Sequence, residues 1–117
     1  MKKLLIGAAI TAAIVMIPTK VGAATVRDDG NEWLEACSSG SHGQEMWCLG
    51  CTQAISHGYD MLAGYAKVDL YCPNGKTVTI GQIRDIMQRY LYRNPAERSD
   101  KMMVVYIAAM REAFPCQ

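Results

Sequence analysis

The sequence predicts an all-α fold, a small bundle of about four helices stapled by two disulfides. Three observations predict it. Apolar residues recur at three-and-four spacing in successive segments, and no segment reads as a convincing strand. Five cysteines, Cys37, Cys48, Cys51, Cys72 and Cys116, all follow an N-terminal segment built like a secretion signal. A chain that leaves a reducing compartment can use its thiols as cross-links.

The signal is read over residues 1–24, leaving 25–117 as one domain. Met1-Lys2-Lys3 is the basic head, Leu4 to Ile17 the apolar run, and Val21-Gly22-Ala23-Ala24 a cleavage site. The apolar run is shorter than the roughly 20 residues that span a bilayer, so no stable membrane insertion is expected after cleavage. Cleavage removes Lys2, Lys3 and Lys20 and no acid, leaving nine Lys and Arg against eleven Asp and Glu. That slightly acidic balance, with no basic cluster, argues against a nucleic-acid partner. A chain this short buries only about 60–65% of its unfolded surface, so cross-links or a partner are expected to support it.

Residues 25–30 read as a mobile leader. Asn31 is positioned to cap a short first helix holding Trp33, Leu34 and Cys37, which Ser38-Ser39-Gly40-Ser41-His42-Gly43 then breaks. From about Gln44 to Lys67, Trp47, Gly50, Cys51, Ala54, Ile55, Gly58, Met61, Leu62 and Tyr65 share one helical face, which predicts a central helix buried along that stripe. Gly50, Ala54 and Gly58 also form a flat strip on which another helix can approach closely. Val68 to Lys76 is a loop by composition, with its turn at Asn74-Gly75. Thr79 and Gln82 have capping-box spacing, opening a helix whose stripe is Ile80, Ile83, Met87, Tyr90 and Leu91. Asn94-Pro95 ends it. A single turn follows at Pro95–Arg98. A last helix over about Asp100–Ala113 is expected to bury Met103, Ile107, Met110 and Phe114. Residues 102–110 are apolar nearly all round, which suits central burial or a dimer contact.

Cys48 and Cys51 form a Cys-x-x-Cys, but no strand precedes it to place it at an exposed helix start, as a thioredoxin-like redox site requires. His42, Cys48, Cys51 and His57 cluster in sequence, but their spacing does not match a compact zinc finger. No metal and no cofactor are expected. The structural reading pairs Cys37 with Cys48 across the Gly40–Gly43 turn and Cys72 with Cys116, leaving Cys51 as a free thiol. Loop-closure entropy makes these links worth roughly 3 and roughly 4 kcal/mol. His57 and Asp60 can share a helix face, yet no nucleophile accompanies them, so the chain is not expected to be an enzyme.

Glu32-Trp33-Leu34-Glu35-Ala36-Cys37, Cys48-x-Gly50, Cys72-x-Asn74-Gly75 with Thr79-x-Gly81-Gln82, the Asn94-Pro95-Ala96-Glu97 bend and the ending Ala108-Ala109-Met110-Arg111-Glu112-Ala113-Phe114-Pro115-Cys116 resemble the Rap1a/Tai immunity domain. The resemblance covers roughly residues 31–116 and departs at Cys51, where an aromatic residue is usual, and at Ala54, where glycine is common. It implies a small helical periplasmic protein, often a homodimer, that binds and neutralises a peptidoglycan amidase toxin delivered by a type VI secretion system. It supports the same two cysteine pairs. An inhibitor of this kind acts by covering a catalytic cleft with a complementary surface. Two loops are candidates for that surface: Ser38 to Gln44, with His42, and Lys67 to Lys76, with Tyr71, Asn74 and Lys76. The competing reading is a periplasmic structural or envelope-stress interaction protein without a toxin partner.

Overall fold

The computed structural model describes residues 28–117. The signal segment and the start of the leader lie outside them. Four helices follow in order: α1 over Gly30–Ser38, α2 over His42–Ala66, α3 over Ile80–Arg93 and α4 over Met102–Ala113, with a 3-10 turn at Pro95–Ser99 between the last two. Both expected disulfides are formed, Cys37–Cys48 with Cα atoms 5.1 Å apart and Cys72–Cys116 with Cα atoms 4.9 Å apart. The all-α fold and its two staples thus stand as expected.

α1 begins two residues earlier than the sequence suggests. Asp29, rather than Asn31, caps it, its carboxylate accepting the Glu32 backbone N–H at 2.9 Å. The end of the leader is not mobile either. Gly30 N–H donates to the Asp100 carbonyl at 3.1 Å, Met102 N–H donates to the Asp28 carbonyl at 2.8 Å, and Lys101 pairs with Asp28. These bonds join segments about 70 residues apart in sequence, which no local propensity can reveal.

α3 keeps its expected form. The capping box of Thr79 and Gln82 is complete, and Ile83, Met87, Tyr90 and Leu91 are buried. Asn94 N–H donates to the Tyr90 carbonyl at 3.0 Å before Pro95 ends the helix. α4 lies rotated from its expected face: Met102, Val105, Tyr106, Ala109 and Met110 are buried, while Met103, Ile107 and Phe114 are only half-buried. The core is built around Trp33, Met87, Leu91, Val105, Tyr106 and Met110.

The larger correction concerns α2. Its buried residues are Cys48, Thr52, Ser56 and Tyr59, a face rotated by roughly a third of a turn from the apolar stripe. Trp47, Met61, Leu62 and Tyr65 of that stripe are exposed. The reason is specific bonding. Trp33 Nε1 donates to Thr52 Oγ1 at 3.0 Å, and Thr52 Oγ1 donates to the Cys48 carbonyl at 2.7 Å, so the buried indole N–H has an acceptor only when Thr52 faces inward. The Cys37–Cys48 bond pulls the same face toward α1.

Gly30 is buried where α1 meets the 3-10 turn. A Cβ there would stand 3.1 Å from the Arg98 carbonyl oxygen and 3.1 Å from Leu91 Cδ2. Gly30→Ala should therefore lower stability by about 1 kcal/mol, the overlap with fixed backbone outweighing the gain in helix propensity. A urea unfolding midpoint equal to or above that of the parent protein would contradict this packing.

Candidate functional site

The loop between α2 and α3 is held from below by tyrosines. α2 ends at Lys67 in the left-handed conformation, φ 54°, with the Val68 N–H donating to the Ala63 carbonyl at 3.2 Å. The loop then folds back along α2. Leu70 N–H donates to the Tyr59 hydroxyl at 2.8 Å, and the Tyr71 ring stacks on that of Tyr59 with centroids 4.8 Å apart. Tyr71 and Tyr106 hydroxyls share a hydrogen bond of 2.6 Å, and Tyr106 in turn donates to Ser56 at 3.4 Å. Cys72 N–H donates to the Phe114 carbonyl at 2.8 Å beside the Cys72–Cys116 bond, closing the loop onto the C-terminus.

Above this base the chain turns at Pro73–Lys76. Asn74 and Gly75 both have positive φ, 53° and 76°, and Lys76 N–H donates to the Pro73 carbonyl at 3.1 Å. Asparagine and glycine are the residues that tolerate such a turn. Asn74 and Lys76 are exposed, whereas Tyr71 is half-buried, its ring spent largely on Tyr59 and Tyr106. His42 is exposed at the first position of α2. Tyr59, against which Tyr71 lies, is about 25 Å of helix from His42. The structure thus gathers Tyr71, Asn74 and Lys76 on one rigid loop and leaves His42 on a separate surface.

Two further surfaces were not read from the sequence. Glu32, Glu35, Gln44 and Trp47 line a cleft of about 380 Å³ between α1 and the start of α2. One Glu32 carboxylate oxygen is buried with no hydrogen-bond partner among the described residues. The spacing of Glu32 and Glu35 was visible, but the expected burial of Trp47 concealed the cleft. Leu62, Val68, Leu70, Met103 and Ile107 line an apolar groove of about 320 Å³ beside the tyrosines.

Burial, then the hydrogen bond to Tyr106, pushes the Tyr71 phenol above its ordinary range, and burial does the same to Tyr106. Tyr90 is pushed up to about 12 by burial and by its hydrogen bond to Glu97. Among the described residues Cys51 is the cysteine left unpaired; it is half-buried, and burial and the nearby Glu32 raise its thiol, which disfavours the reactive thiolate. No group of three or more His, Cys, Asp and Glu side chains among the described residues is arranged to hold a metal ion, and no helix there is long and apolar enough to cross a membrane.

The described residues thus form a small helical domain, clamped by two disulfides and presenting a fixed loop and shallow clefts. The chain matches the family model of Rap1a immunity proteins over residues 29–116 and belongs to that family. No curated protein and no solved structure matches it.

The raised tyrosines give the fold an alkaline limit. Each shift favours the neutral phenol in the folded state, so the unfolded chain releases its protons first as pH rises. Stability is complete below the ordinary tyrosine value of 10.0 and is lost as pH climbs through about 12. Urea midpoints should fall above pH 10.0, and Tyr90→Phe should make that fall shallower. A decline equally steep in the variant would contradict the assignment.

Proposed function

We propose that residues 1–24 direct export and are removed, and that residues 25–117 act in the periplasm as one domain that binds and inhibits a peptidoglycan amidase toxin of a type VI secretion system. The observation that carries this reading is membership of the immunity family along nearly all of the exported chain. The two disulfides suit an oxidising compartment. A homodimer is part of the reading.

Such a protein works by exclusion and needs no chemistry of its own. Asn74 and Lys76 project from a turn held by Tyr71, so their presentation costs little ordering on binding. Lys76 would meet acidic groups at the rim of the toxin's cleft, and the exposed edge of Tyr71 would add apolar contact. His42 would contribute only if the toxin also reached the start of α2. Cys51 enters none of these contacts.

The test is titration of the oxidised protein against the product of a candidate amidase toxin gene found beside its own, read as binding and as peptidoglycan cleavage. Stoichiometric inhibition is expected, with Lys76→Glu weakening association by about tenfold or more through its on-rate. Absence of binding by a folded, oxidised sample would overturn the immunity reading in favour of a general envelope interaction protein.

A further inference from the structure

We propose that the cleft between α1 and the start of α2 receives one arginine side chain of the partner protein. The identity of that partner rests on the toxin-binding reading above, whereas the chemistry of the cleft stands on its own residues. Glu32 and Glu35 are three apart and share one face of α1, and Gln44 and Trp47 share a face of α2 in the same way. The Cys37–Cys48 bond ties the two helices together beside them, so both walls are in place before anything binds. Between the walls, Ala36 and Gly43 add nothing longer than a methyl group, which leaves about 380 Å³ open.

What the cleft lacks is a positive charge. Among the described residues no Lys, Arg or His lines it, and neither Glu32 nor Glu35 has an ion-pair partner. One Glu32 carboxylate oxygen is buried and accepts no hydrogen bond there. Buried acceptors are nearly always answered by a donor, and a charged one left unanswered is costly. Water alone does not account for the lining, because an indole does nothing to hydrate a carboxylate but offers a cation its π face. Trp47 is 44% exposed beside the two acids. Arginine is the cation that matches. Its planar guanidinium carries five donors in a fork that fits carboxylates and stacks on aromatic rings, whereas lysine brings a point charge with three donors and no plane. Glu32 would hold the charge, Glu35 at the rim and the Gln44 side-chain carbonyl would take the remaining donors, and Trp47 would cover the guanidinium plane.

Two titrations of the oxidised protein test this. The first uses N-acetylarginine amide, with N-acetylcitrulline amide as its uncharged isostere, at constant ionic strength. It follows the indole N–H resonance of Trp47, with fully buried Trp33 as internal reference. A saturable shift with the arginine probe alone is expected, and Glu32→Gln should abolish it. The same variant should leave the urea midpoint unchanged or raised, since it removes a buried charge and keeps an acceptor. Equal shifts from both probes, a shift from neither, or a lowered midpoint in Glu32→Gln would overturn the cleft as a cation site. The second titration uses the candidate amidase toxin, whose binding Glu35→Gln and Trp47→Ala should each weaken by about tenfold or more. Binding unchanged in both variants would overturn the toxin's arginine as the occupant. A parent protein that binds no toxin while its Trp47 still answers the arginine probe would overturn the toxin-binding reading and leave the cleft supported.

Discussion

The hydrogen bond from Trp33 to Thr52 determines how the longest helix is turned. Trp33 is fully buried, and its indole N–H can be satisfied only if α2 presents an acceptor inward. Thr52 supplies it, and its hydroxyl is itself oriented by the Cys48 carbonyl one turn earlier. Cys48 is covalently tied to Cys37 on α1. A buried donor left without a partner costs about 1–3 kcal/mol, comparable to what burying one large apolar side chain gains, and the Cys37–Cys48 bond holds the same face inward. The polar and small face of α2 therefore goes inside, and the apolar stripe goes out.

That rotation shapes both ends of the molecule. Ser56 and Tyr59, next along the inward face, meet Tyr106 of α4 and the returning loop, so the same orientation builds the tyrosine base under Tyr71. The second disulfide then locks the loop to the C-terminal tail. A domain with a small core is held rigid at the two places where helices alone would leave it loose, and its exposed turn is presented without a large ordering cost.

Much of this was legible in the residues. The Thr79–Gln82 box, the Asn94-Pro95 stop and the α3 stripe each act over a few positions, where local rules apply, while the two cysteine pairs, 11 and 44 residues apart, were read from where the cysteines flank the helices. The face of α2 was not legible, because periodicity counts apolar side chains and cannot see that Thr52 and Ser56 answer buried donors from α1 and α4. The pinning of Asp28 and Gly30 to residues 100–102 and the gathering of Tyr59, Tyr71 and Tyr106 are long-range pairings of the same kind. Of the candidate site, the loop and its turn were readable, whereas Tyr71's commitment to the core and the separation of His42 depended on tertiary packing.

The orientation of α2 can be tested by one substitution, Thr52→Val, which keeps side-chain shape and increases hydrophobicity while removing the hydroxyl. If Trp33 depends on that oxygen, the urea unfolding free energy with both disulfides intact should fall by about 1–3 kcal/mol. Stability equal to or above that of the parent protein would mean that the inward face is not held by this bond, and the account of why the apolar stripe points outward would be wrong.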